Sequence, residues 1–152
     1  MARPDANRMR VLFLCTGNSC RSQMAEGFAR ALKADTIDSH SAGTDPHGMN
    51  ARAVRAMAEV GIDLSTHHSK HVDSLRDIAF DVVVTVCDSA HEACPTFPGA
   101  RVVHVGFDDP PRLAQSARTD DEAMAHYRRV RDQIRAFIET LPEAIRNRSS
   151  DP

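Results

Sequence analysis

The sequence predicts an α/β fold, a three-layer sandwich with a four-stranded parallel sheet in the order 2-1-3-4 flanked by helices. Three observations predict it. Strand-like and helix-like segments alternate along the chain, the pattern of parallel strands joined by crossover helices. Val82-Val83-Val84, with Val86 beyond Thr85, is β-branched on both faces, as a strand covered on both sides must be. A length of 152 residues supplies one hydrophobic core and no room for a second. A single domain over residues 1–152 is expected, with an ordered core over about 9–145.

Each element has its own signal. Val11-Leu12-Phe13-Leu14 is a short apolar run ending at Cys15 and reads as a buried first strand. Residues 22–33 place Met24, Phe28, Ala31 and Leu32 at helical spacing. Thr36-Ile37-Asp38-Ser39-His40-Ser41 alternates partially, a weaker second strand stopped by Gly43. A helix over 50–60 would carry Val54, Met57 and Ala58 on one face, with Gly61 as its stop. A short helix over 69–78 would bury Val72, Leu75 and Ile78. Residues 81–86 and 101–105 read as the third and fourth strands. Thr119 and Glu122 have capping-box spacing, and Met124, Tyr127, Val130, Ile134, Phe137, Ile138 and Leu141 then recur every three or four residues. Beyond Pro142 the chain turns polar, and 146–152 is expected to fray. Right-handed crossovers permit the 2-1-3-4 order, a flavodoxin-like winding.

Composition narrows the function classes. Apolar residues at 41% and charged residues at 26% exclude intrinsic disorder. No apolar stretch approaches the ~20 residues that span a bilayer. Met1-Ala2-Arg3-Pro4-Asp5-Ala6-Asn7-Arg8 lacks the apolar core of a signal peptide, which predicts a cytoplasmic protein. A formal charge of -2 gives no pull toward nucleic acid or an anionic membrane. Four cysteines remain: Cys15, Cys20, Cys87 and Cys94. In a reducing compartment they are buried hydrophobes, metal ligands or reactive thiols rather than staples.

In a parallel α/β sheet, ligands bind beyond the C-terminal ends of the strands. The expected strands are followed by Cys15, by Ser41 and Gly43, by Cys87, and by Gly106-Phe107-Asp108-Asp109-Pro110. The most specific segment is Cys15-Thr16-Gly17-Asn18-Ser19-Cys20-Arg21-Ser22. A loop between Cys15 and Arg21, followed directly by a helix, can curl its backbone N–H groups around one point. The helix N-terminus adds positive potential, and Arg21 offers a planar fork for a tetrahedral oxyanion. Gly17 and Asn18 tolerate the backbone angles of a tight turn. The same field would lower the pKa of Cys15. The alternative is a structural cysteine in an ordinary turn. A nucleotide-binding loop ending in Gly-Lys-Ser or Gly-Lys-Thr is absent.

An Asp of Asp108-Asp109-Pro110 beside that loop could protonate a leaving oxygen, although Asp-Pro is also a plain turn signal. Cys87 and Cys94 have six residues between them, a poor fit to the two to four of a zinc pair. Hydrolysis through a phosphocysteine needs one cysteine; a reduction needs two electrons, which a dithiol supplies on closing to a disulfide. The pair therefore suggests redox chemistry, with two inert buried cysteines as the alternative. If residues 87–94 were helical, the two Cα atoms would stand about 10 Å apart, beyond the roughly 7 Å that a disulfide bridges. A mobile segment over 87–98 is expected. His67, His68 and His71 read as a solvated turn, and His40, His47, His91, His104 and His126 are scattered and unassigned. No metal and no cofactor is expected.

These motifs, with Gln23-Met24-Ala25-Glu26, Ser41-Ala42-Gly43, Val84-Thr85-Val86-Cys87 and Cys94-Pro95, closely resemble the thioredoxin-coupled arsenate reductases, which are built on the low-molecular-weight protein tyrosine phosphatase fold. The resemblance spans residues 10–141. It implies that arsenate binds in the cradle formed by residues 15–22, with Thr16, Gly17, Asn18, Ser19 and Cys20 in the loop, and that phosphate or sulfate competes. It implies that Cys15 attacks arsenic while Asp109 protonates the departing hydroxide, with Ser22 stabilising the thiolate and Asn18 bracing the loop. Cys87 would then attack Cys15, Cys94 would attack Cys87, and thioredoxin would reduce the Cys87–Cys94 disulfide; Cys20 is not needed. Some family members bind potassium near the cradle, but His68 and Lys70 stand where two of its ligands are expected, so the Lys70 ammonium would replace the ion. The tyrosine that phosphatases carry after Asp-Pro is missing: Pro111-Arg112-Leu113 follows. Val105 stands where the family often has tryptophan. The competing expectations are a phosphatase whose extra cysteines protect Cys15, and a non-enzymatic oxyanion or redox sensor.

Overall fold

The structure is a computed structural model that describes residues 7–88, 90, 94–146 and 148. Strands β1 (Met9–Cys15), β2 (Ile37–Gly43), β3 (Val82–Thr85) and β4 (Arg101–His104) form a parallel sheet in the order β2-β1-β3-β4, as expected. Val11, Leu12, Phe13 and Leu14 of central β1 are fully buried, as are Val82, Val83 and Val84 of β3. Unbroken apolar runs are what burial on both faces requires. The ladder sets Cys15 opposite Gly43 and Leu14 opposite Thr85, so the C-terminal ends of three strands meet at one edge.

The helices are α1 (Arg21–Leu32), α2 (Ala51–Ala58), α3 (Pro110–Ala114), α4 (Asp120–Glu139) and α5 (Glu143–Arg146). Helix α1 packs on β1, β2 and α4, while α2 and α3 also lie against α4. The inner stripe of α1 is Met24, Ala25, Phe28 and Ala29; Ala31 and Leu32, expected inside, are exposed in its last turn. In α2 the buried face is Ala53, Ala56 and Met57, not Val54 and Ala58. Asn50 sets that phase by accepting the N–H groups of Arg52 and Ala53 at 2.9 and 3.1 Å. Thr119 caps α4 by accepting from the Glu122 N–H (3.1 Å), but Glu122 reaches back to the N–H of Arg118 rather than that of Thr119. The predicted core residues of α4 are buried, with Phe137 half-buried against Phe107.

Two expectations need correction. No α-helix forms over 69–78; only the 3₁₀ turn Val72–Leu75 does. The backbone there bonds elsewhere: Gly43 N–H donates to Lys70 O (2.9 Å), and Lys70 N–H to Asn18 Oδ1 (3.0 Å). The Asp-Asp-Pro segment leads straight into a helix, with Pro110 opening α3, where its missing N–H costs nothing. The stretch after Pro142 is not simply polar: α5 forms, Ile145 is fully buried, and Arg101 donates to its carbonyl at 2.6 Å. The other residues of the expected fray, 147 and 149–152, lie outside the described residues, as do residues 1–6. Among the described residues no helix is long and apolar enough to cross a membrane.

Candidate active site

The cradle is built by turning its carbonyls outward. The chain after β2 runs along the loop and donates four backbone hydrogen bonds: Thr44 N–H to Cys15 O (3.2 Å), Asp45 N–H to Thr16 O (2.9 Å), His47 N–H to Gly17 O (2.9 Å) and Asn50 N–H to Ser19 O (3.1 Å). The Asn18 carbonyl accepts from Ser69 Oγ at 2.6 Å and Gln23 Nε2 at 3.2 Å. With each carbonyl from 15 to 19 committed outward, the intervening N–H groups are left to converge on the inner side, an anion-binding nest. Helix α1 begins at Arg21 with no acidic residue in its first turn and no side chain of the Cys20 N-cap bonded to it. Its first N–H groups and positive end therefore point at the same space.

Asn18 locks the turn. It adopts φ 46°, left-handed, which Asn tolerates better than most residues. Its Nδ2 donates to Ser22 Oγ (2.9 Å) and Ser41 Oγ (3.0 Å), and its Oδ1 accepts from Gln23 Nε2 and Lys70 N, both at 3.0 Å. Ser41 Oγ donates in turn to Glu26 Oε1 at 2.5 Å, while Arg30 pairs with Glu26 at 2.6 Å and Lys70 Nζ stands 3.8 Å away. Burial pushes the Lys70 pKa down, and the Glu26 charge opposes it. His67 is not a solvated turn residue: its side chain is 12% exposed and Nδ1 bonds Gln23 Oε1 at 3.0 Å, with burial lowering its pKa. Among the described residues no His/Cys/Asp/Glu group is arranged to hold a metal.

The cradle floors a cavity of about 850 Å³. Cys15, Thr16, Gly17, Ser19, Cys20 and Arg21 line it from the loop. Asn18 and Ser22 lie behind the loop, wholly buried. Cys87 enters the cavity after β3, and Asp109 after β4. Arg21 is held by the Phe107 carbonyl (2.9 Å) and stands 3.6 Å from Asp109 Oδ1. Asp108 turns instead toward Arg129, 3.8 Å away, so Asp109 is the carboxylate beside the cradle.

Cys15, Cys20 and Cys87 are buried free thiols and Cys94 is half-buried. Cys15 and Cys87 line the same cavity in close electrostatic contact. That contact, with the Thr16 hydroxyl and the Ala90 N–H, each 3.4 Å from Cys87 Sγ, holds the Cys87 pKa down to about 5 against the cost of burial. The expected lowering of the Cys15 pKa is not what the structure gives: the same contact and burial push it up, while Arg21 and the Thr16 N–H pull it back. One proton is thus shared by two sulfurs, and the negative charge belongs to the pair. Alkylation by iodoacetamide should therefore stay fast down to about pH 5 and fall below it, as the pair takes its second proton. An inflection near the ordinary ~8.5 of a free thiol, measured by the pH dependence of the alkylation rate, would contradict this.

Burial raises Cys20 to about 12, which keeps it a neutral thiol. Burial also raises Cys94, whose Sγ donates to Pro95 O at 3.4 Å. Asp88 and Ala90 are helical, while residues 89 and 91–93 of the expected mobile segment, His91 included, lie outside the described residues. The structure thus gathers Cys15, Arg21, Cys87 and Asp109 around one cavity. Sequence reasoning missed the loop over 44–50. Its bonds to the cradle are backbone bonds, which leave no side-chain signature beyond the need for Gly43.

The chain matches the family model described as low molecular weight phosphotyrosine protein phosphatase over residues 10–150. It is 47% identical over 138 residues to a protein named arsenate reductase from Halalkalibacterium halodurans, covering 90% of this chain and 97% of that one. It is 47% identical over 135 residues to the arsenate reductase of Bacillus subtilis, covering 86% and 95%. A solved structure of an arsenate reductase in the phosphate binding state superposes with a TM-score of 0.74 at 32% identity, covering 90% of this chain and 98% of that one. With that match running from β1 through the last helix, the chain belongs to the low-molecular-weight phosphotyrosine protein phosphatase family.

Proposed function

We infer that this protein is an arsenate reductase, and that it works by a thiolate nucleophile and a disulfide relay that thioredoxin regenerates. The observation that carries the reading is the second thiol, Cys87, lining the same cavity as Cys15. A phosphatase has no use for it, whereas an electron relay requires it.

Arsenate enters the nest opposite the helix N-terminus and Arg21. The Cys15 thiolate displaces a hydroxide, which leaves as water once Asp109 protonates it, and a sulfur–arsenic bond forms. Cys87 attacks the Cys15 sulfur; the electron pair of the sulfur–arsenic bond passes to arsenic, As(V) becomes As(III), and arsenite departs from a Cys15–Cys87 disulfide. The Thr16 hydroxyl and Ala90 N–H favour the thiolate at Cys87 for this step. Cys94 then attacks Cys87, Cys15 is regenerated, and thioredoxin reduces the Cys87–Cys94 disulfide. Phosphate and sulfate fit the nest as competitors, and the relay suits a reducing cytoplasm.

The test is steady-state turnover with thioredoxin as sole electron source. With thioredoxin, its reductase and NADPH, one NADPH should be consumed per arsenite formed. No arsenate-dependent NADPH loss beside phosphate-ester hydrolysis would favour a phosphatase; NADPH loss that does not depend on arsenate would contradict the coupling.

A further inference from the structure

Resting on the oxyanion reading above, we propose that His47 is a second anion-binding cation of this site, taking up a proton as the tetrahedral oxyanion enters. Its position is built into the cradle. His47 N–H donates to Gly17 O at 2.9 Å, which pins its backbone to the loop. A Cβ on Gly17 would stand 2.7 Å from His47 Nδ1 and 3.2 Å from its Cγ, so the ring fills the open side of that glycine. The ring lines the same cavity as Cys15 and Arg21. Asp45 Oδ2 stands 3.5 Å from Nε2, while Nδ1 lies on the Gly17 side of the ring. The side chain is 59% exposed, so protons exchange freely with solvent.

The charge balance calls for such a group. Arg21 is the cradle's own cation, and it is shared with Asp109 and the Phe107 carbonyl. Asp88, Asp108 and Asp109 also line the cavity, Asp88 bonded to His104 Nε2 at 2.9 Å and Asp108 3.8 Å from Arg129, while Arg112 is the one other arginine on the wall beside Arg21. The Cys15–Cys87 pair adds a negative charge. A phosphate-like oxyanion brings about −1.5 to −2 more near neutral pH. Imidazole is the side chain whose ordinary pKa lies where that added charge can protonate it, and His47 is the histidine on the cavity wall among the described residues.

The experiment uses the full chain and inorganic phosphate. The imidazole of His47 is titrated by NMR with and without saturating phosphate; its midpoint should move up by roughly 0.5–1 pH unit. In His47→Gln, phosphate Ki and arsenate KM should rise roughly five- to tenfold at about pH 6.5 with kcat changed less than about twofold. The deficit should shrink as the pH rises above the range in which imidazole ordinarily carries a proton. A structural role would give a deficit independent of pH. An unmoved His47 midpoint in phosphate-bound protein, or a pH-independent deficit, overturns the proposal. A wild-type chain that binds no phosphate overturns the cradle reading itself, and this inference with it.

Discussion

Replacing Cys94 with Ser stops the enzyme after one round. The variant retains the cradle, Cys15 and Cys87, which line the cavity together, while Cys94 is not among the lining residues and packs, half-buried, on the core. It should release close to one equivalent of arsenite per protein and then stall, with steady-state thioredoxin-dependent turnover falling by at least ~10³-fold. Serine cannot attack the Cys15–Cys87 disulfide, so the buried bond has no route to the protein reductant. Quench-flow measurement of arsenite separates the burst from the steady state. Continued turnover at a wild-type rate would mean that thioredoxin reaches the Cys15–Cys87 bond directly.

Replacing Gly43 with Ala should disable the anion site without touching any sulfur. A Cβ at Gly43 would collide with the Thr16 carbonyl oxygen and stand 3.0 Å from both the Asn18 Cβ and its backbone nitrogen. Two of those contacts are backbone atoms of the cradle, which cannot rotate away as a flexible side chain would. The loop must shift, at a cost of about 1–3 kcal/mol in stability. A displacement of about 1 Å of the nest should lower kcat/KM for arsenate by roughly 100-fold. Phosphate titration and thermal melting check the two effects together. Wild-type phosphate affinity in Gly43→Ala would show that the cradle does not depend on the close approach of β2.

The strand order and the reactive rim were legible because each rested on a local pattern. The valines of β3 have no polar face, and Cys15, Cys87 and Asp109 each follow a strand whose end could be read from residue type. What escaped reading depends on contacts distant in sequence. Residues 69–78 look helical by spacing, yet Ser69 and Lys70 spend their hydrogen bonds on Asn18 instead of on a helix of their own. His67 looks like a surface histidine until Gln23 is folded against it. The outward anchoring of the cradle carbonyls comes from backbone N–H groups of Thr44, Asp45, His47 and Asn50, which every residue but proline has. Ile145 is one large apolar residue in a mostly polar tail, too little for periodicity to register, though burial makes it a core anchor.

The relay itself is tested most directly by mapping disulfides by mass spectrometry after one equivalent of arsenate is added to fully reduced protein. The wild-type chain should carry a Cys87–Cys94 bond and the Cys94→Ser variant a Cys15–Cys87 bond, each formed together with one arsenite. If Cys87 stays unpaired in both while arsenite is produced, the electron pair leaves by another path and the three-sulfur relay is wrong.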